Sequence, residues 1–178
     1  HGWHLAAAEI RDDLRYYLRS AHGQLSELLA ELGDRSTVQI RPSVRDLYQD
    51  LAALEQEFES VSFCRKLQPL SVTTEPITLE GVYLGPFEIR LPYRQLSAPT
   101  HYCIIALEPH PAASRPSVTH PHVMDEALCA GEAHLAIRRA LADGRLLDFF
   151  LLVAGVLRHY NGESPFVALE LWKGCTCD

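Results

Sequence analysis

The sequence predicts an α+β fold in which helices cover one face of an antiparallel sheet. Three observations predict it. Two stretches near the start carry apolar residues at three- and four-residue steps, the spacing of one helix face. A central stretch, 61–107, changes character and alternates in twos between proline and glycine breaks. A later run, 146–160, is apolar nearly all round, as a core helix is. The chain has 178 residues, enough for one well-buried domain plus an extra helix or two.

The first helix is expected over 3–32. Leu14, Leu18, Ala21, Leu25, Leu28 and Leu32 fall on one face, Gly23 interrupts the helix and Gly33 is placed to end it. It forms an N-terminal extension, 1–33, to a domain spanning 34–178. Packing on the chain's own domain, dimerisation, or docking of a partner enzyme would each use that stripe. A polar connection, 34–42, follows. The second helix covers 44–59. Ser43 caps it, Asp46 sits three residues later in a capping-box pattern, and Val44, Leu47, Leu51, Leu54 and Phe58 form its stripe.

Strands follow at 70–74, 77–79, 87–91 and 102–107. Phe87-Glu88-Ile89-Arg90-Leu91 alternates strictly, so one face should be wet, whereas Tyr102 to Leu107 is continuously apolar and reads as buried on both faces. Pro76, Gly85-Pro86 and Pro92 punctuate an antiparallel meander of three or four strands. A Pro/His loop, 108–132, comes next, then a short helix from Ala133 to Leu141 ended by Asp143-Gly144. The core helix runs from Leu146 to Tyr160, where Asn161-Gly162 stops it. The segment from Ser164 to Trp172 fits neither period.

Composition narrows the function classes. Hydrophobic residues make up 47% and charged residues 22%, which excludes a disordered chain. A formal net charge of -7 disfavours nucleic acid as a partner. The longest apolar run, Phe149 to Val153, is too short to span a bilayer, and no secretory signal opens the chain. The five cysteines, Cys64, Cys103, Cys129, Cys175 and Cys177, are odd in number and irregularly spaced. A reducing cytoplasm is the expected compartment, with no membrane partner.

The chemistry concentrates at Thr119-His120-Pro121-His122-Val123-Met124-Asp125-Glu126-Ala127-Leu128-Cys129, approached by Glu108-Pro109-His110-Pro111 and followed by Gly131-Glu132. A cysteine on a loop beside hydrogen-bond donors is a candidate nucleophile. Cys103, within an apolar strand, reads as core, and Cys64, near a strand start, as structural.

The element order, with His120-Pro121-His122 and Leu128-Cys129, resembles the ubiquitin-conjugating enzyme family. Its members share an N-terminal helix, a four-stranded meander, a Pro-rich stretch, a His-Pro-Asn tripeptide, an active-site cysteine shortly after, and a crossover helix, here Leu146 to Tyr160. The resemblance covers 43–172 and leaves the helix at 3–32 as an addition. It is nearest the divergent bacterial branch, whose genes neighbour activating-enzyme-like and ubiquitin-like proteins. This chain departs from the pattern twice: His122 stands for the asparagine, and Ala130 for the leucine that usually follows the cysteine.

The resemblance implies a thioester-forming transferase that needs no cofactor. Cys129 would take a ubiquitin-like modifier from an activating-enzyme-like protein and pass it to a target protein. It also implies a role in antiphage defence. Each transfer passes through a tetrahedral oxyanion, and one donor near that oxygen contributes roughly 3 kcal/mol. His122 carries an N–H that can serve, and His120 braces the loop through backbone hydrogen bonds. Asp125, Glu126 or Glu132 would orient and help deprotonate an incoming amine.

Two other readings stand beside this one. His120, His122, Cys129 and His134 are all of ligand type for zinc, although Ala130 and Ala133 lack the ligand atoms of the metal-dependent isopeptidases. Cys175-Thr176-Cys177 offers two ligands, too few for a closed site alone. The same layout also occurs in inactive binding modules, because fold does not fix function.

Overall fold

The computed structural model describes residues 42–63, 69–92 and 102–172, together with residues 14, 18, 21 and 25. Two compact units divide the chain, His1–Ile40 and Arg41–Asp178. In the first unit, residues 14, 18, 21 and 25 are helical and exposed. Gly23, Leu28, Leu32, Gly33, Cys64, Cys175 and Cys177 lie outside the described residues.

The second unit is mixed α+β, with three α-helices among the described residues and antiparallel sheets, one of them four-stranded. Helix α1, Val44–Glu57, opens on a full capping box: the Asp46 N–H donates to Ser43 Oγ at 3.2 Å and the Ser43 N–H donates to Asp46 Oδ2 at 2.9 Å. That pair satisfies two N–H groups that the helix itself cannot. The expected stripe is only partly used. Leu54 and Phe58 are buried, but Leu51 is exposed and Val44 is 85% exposed, because the core meets only the later turns of the helix.

The main sheet runs β1 (Ser60–Phe63), β2 (Pro69–Thr73), β5 (Phe87–Pro92) and β6 (Cys103–Ala106), each antiparallel to its neighbour. Strands β3 (Ile77–Leu79) and β4 (Val82–Gly85) form a separate hairpin between β2 and β5. The expected strand at 77–79 therefore lies outside the main sheet, and Ser60–Phe63 takes its place in the four. Register sorts the two faces. Val61, Val72, Ile89 and Ile104 face one another across the sheet and point to the core. Ser62, Ser71, Arg90 and Cys103 form the adjacent row on the opposite face.

That row corrects two expectations. In β6 only Ile104 is buried, so the strand is not sealed on both faces. Cys103 is half-buried on the outer face, not in the core. Strand β5 shows its alternation plainly, with Phe87, Ile89 and Leu91 buried while Glu88 and Arg90 pair at 2.7 Å outside.

Helices α2 (His134–Ala142) and α3 (Leu146–Arg158) close the core. Phe149, Phe150, Val153, Ala154 and Leu157 are the buried side of α3. The start of α3 lacks a side-chain cap of its own. Instead Asp50 of α1 accepts the Leu147 N–H at 3.2 Å, tying the two helices. Between α2 and α3 the chain turns at Gly144, at φ +68°, where a Cβ would meet Pro42 Cγ at 2.5 Å. The last segment forms a short 3-10 turn, Leu169–Leu171, and buries Trp172, whose Nε1–H donates to the His110 carbonyl at 2.9 Å. Among the described residues, no helix is long and apolar enough to cross a membrane.

Candidate functional site

The Pro/His segment is not an open loop. It folds into a small antiparallel sheet of β7 (Val118–His120), β8 (Val123–Met124) and β9 (Ala127–Leu128). Val118 and Val123 are fully buried under it. Strands β8 and β9 join through Asp125 and Glu126, both at positive φ, 50° and 63°. This is the backbone of a type I′ turn, and it is strained for residues with a side chain. Two bonds hold it. The Asp125 N–H donates to the Ser117 carbonyl at 3.0 Å, and the Ile104 N–H of β6 donates to the Glu126 carbonyl at 2.9 Å.

Cys129 leaves β9 immediately afterwards, as a half-exposed free thiol. Its N–H donates to the His122 carbonyl at 2.8 Å. A 3-10 turn, Gly131–Ala133, follows and runs into α2.

His120 and His122 lie beneath this backbone, both buried. The His120 ring stands edge-on to Phe87, with centroids 5.6 Å apart. Its Nδ1 accepts the His122 N–H at 3.0 Å, and Nε2 lies 2.9 Å from the Leu157 carbonyl near the end of α3. One neutral tautomer, with the proton on Nε2, satisfies both bonds. Burial holds the His120 pKa down to about 4, against the pull of the Leu157 carbonyl and with help from His122. His122 accepts the Asn161 N–H on Nε2 at 3.1 Å, so its proton sits on Nδ1. Burial pushes its pKa down as well. The Pro121 carbonyl between them accepts the Phe166 N–H at 2.8 Å. The two imidazoles are thus neutral latches that fix the loop to the end of α3. His122 retains one ring donor, Nδ1–H, for any catalytic use.

The carboxylates are spread out. Asp125 and Glu126 are exposed at the hairpin tip, and Glu132 is exposed in the 3-10 turn. Glu126 acts on Cys103: burial pushes the Cys103 thiol up, Glu126 adds to the push, and Arg90 opposes it. Glu126 therefore belongs to the outer sheet face, with Cys103, Arg90 and Glu88.

Two residues at the site escaped the sequence reading. Asn161, taken only as a helix stop, supplies the N–H that pins His122. Tyr102 is half-buried, with its ring edge-on to Phe149 at 5.2 Å, and burial pushes its phenol up, with Cys129 adding to the push. The signal for Tyr102 was available: it lies two residues before Ile104, on the same face of the strand. An open groove of about 730 Å³ borders the segment after Cys129, with a mostly apolar lining that includes Ala133, Ala136, Leu151, Leu152 and Val156.

Among the described residues, no group of three or more His, Cys, Asp or Glu side chains is arranged to hold a metal ion. Three of the four ring nitrogens of His120 and His122 are bonded to backbone groups. The zinc reading therefore finds no ligand set in this loop. No family model, no curated protein and no solved structure matches this chain.

Proposed function

We propose that this chain is a ubiquitin-conjugating-enzyme-like transferase that carries a ubiquitin-like modifier as a thioester on Cys129. One observation carries the reading. A half-exposed thiol sits on backbone that is clamped from below by two buried, neutral imidazoles. A nucleophile needs access and a fixed position, and this arrangement supplies both. The element order agrees with it: helix, four-stranded antiparallel sheet, clamped loop with a cysteine, then helices.

In the first step the Cys129 thiolate attacks the acyl carbon of the modifier's thioester on an activating-enzyme-like protein. A new C–S bond forms, and the activating enzyme's thiolate leaves with its electron pair. In the second step a nucleophile of the target protein, such as a lysine amine, attacks the same carbon and loses its proton to a base. The Cys129 thiolate then departs. Asp125, exposed four residues before Cys129, or Glu132, exposed three residues after it, would take that proton. The apolar groove beside Ala133 gives the modifier's extended end a surface to lie on.

Incubation with an activating-enzyme-like protein, its ubiquitin-like modifier and ATP tests the reading on non-reducing gels. The adduct should form with wild type and with Cys103→Ala, and be lost with Cys129→Ala. Loss with Cys103→Ala and retention with Cys129→Ala would refute the assignment. With both partners active, absence of any adduct on the wild type would leave the chain as a binding module of this fold.

A further inference from the structure

The first unit, His1–Ile40, carries an apolar stripe open to solvent. Leu14, Leu18, Ala21 and Leu25 are all helical and all exposed. The three leucines are 57%, 62% and 61% exposed. Apolar side chains gathered on one helix face and left in water forgo the main drive for folding and association, so such a face calls for a cover.

The spacing says which cover fits. The steps are four, three and four residues, which puts Leu18 and Leu25 at a and Leu14 and Ala21 at d of a heptad. Leu28 and Leu32 continue the same steps in the sequence. Ala21 and Leu25 are helical on either side of Gly23, so the stripe carries through the point where the sequence suggested an interruption. Off the stripe, positions 15 to 24 hold no aliphatic side chain: Arg15, Arg19, Ser20, His22 and Gln24 are polar. A helix that packs on a globular core presents an apolar stripe about 100° wide or more, whereas a and d positions alone make the narrow seam of two wound helices. Such a seam matches itself, because in a parallel pair each a meets a and each d meets d. The flanking heptad positions put no like charges together: Tyr17 of one copy comes opposite His22 of the other, and Gln24 opposite Leu29. We propose that the occupant of this stripe is the same stripe of a second copy, so that the chain is a dimer through a parallel coiled coil in its first unit. This does not rest on the Cys129 reading.

Sedimentation equilibrium of the full chain over a roughly hundredfold range of concentration tests it. Wild type should show twice the 20.0 kDa of one chain, falling towards a single chain on dilution. Leu18→Glu/Leu25→Glu sets carboxylates at both a positions, where the single chain already exposes its side chains. The variant should have the mass of one chain at every concentration, with the urea unfolding of the second unit unchanged. Arg19→Glu, off the stripe, should remain a dimer. Ala21→Cys places a thiol at d, where the parallel pair sets position 21 against position 21. Oxidation with diamide should then give a 21-to-21 disulfide, located by peptide mapping. A single-chain mass for wild type throughout would overturn the proposal and leave the stripe to the chain's own domain or to another protein. A mass of three or more chains would also overturn it. So would a dimer that survives Leu18→Glu/Leu25→Glu, that dissociates as fully with Arg19→Glu, or that forms no 21-to-21 link.

Discussion

Acid should loosen the latch formed by His120, and the structure sets how much. The imidazole is fully buried and held neutral, with a pKa of about 4 against 6.5 when unfolded. As the pH falls below 6.5 the unfolded chain takes up this proton while the folded chain does not. Its contribution is therefore complete above pH 6.5 and is lost progressively down to about pH 4, at about 1.4 kcal/mol per pH unit. Between pH 6.5 and 5 that amounts to about 2 kcal/mol. Burial pushes His122 and His134 in the same direction, so the wild-type slope contains all three. His120→Gln isolates one of them. The glutamine amide can still donate to the Leu157 carbonyl, but the His122 N–H loses its acceptor, for a loss of about 1–3 kcal/mol at pH 7.5. Urea unfolding followed by circular dichroism, at pH 7.5, 6.5, 5.5 and 5, measures both effects. The variant should start less stable and then lose about 2 kcal/mol less than wild type from pH 6.5 to 5. Identical slopes for the two proteins would refute the argument that His120 is buried neutral.

Other perturbations probe single features. Gly144→Ala should lower the urea midpoint more than Gly131→Ala: both need positive φ, but only at Gly144 does the new Cβ collide, 2.5 Å from Pro42 Cγ. Each should cost about 1 kcal/mol for the left-handed backbone, and equal midpoints would contradict the collision. Glu126→Gly should raise stability by about 1 kcal/mol by relieving the type I′ turn, and a lowered midpoint would contradict that strain. His122→Ala leaves the Asn161 N–H without its acceptor and should cost about 1–3 kcal/mol while slowing transfer from Cys129. An unchanged transfer rate would reduce His122 to loop packing.

The parts of the fold that were legible are those written in local chemistry. Ser43 and Asp46 announce the start of α1, and the alternation of Phe87 to Leu91 gives both faces of β5. What escaped depends on partners distant in sequence. Ser60–Phe63 is an edge strand whose polar–apolar alternation spans only four residues and ends on an exposed Phe63, too short a pattern to mark a strand. Cys103 looked like core because its neighbours are apolar, yet pairing with Arg90 puts it on the outer face. The Pro/His segment folds into strands of two or three residues, shorter than any period can reveal. At the site, Cys129, His120 and His122 stood out by type and spacing. Asn161 did not, because it reaches the site only through the packing at the end of α3.

The central claim is a covalent one, and mass spectrometry addresses it directly. Wild-type protein would be incubated with the activating-enzyme-like protein, its modifier and ATP, then measured intact with and without reductant and mapped by peptide. The account predicts one added modifier, removed by reductant and located on Cys129. A modifier on another residue, or an adduct that survives both reductant and the Cys129→Ala change, would contradict it.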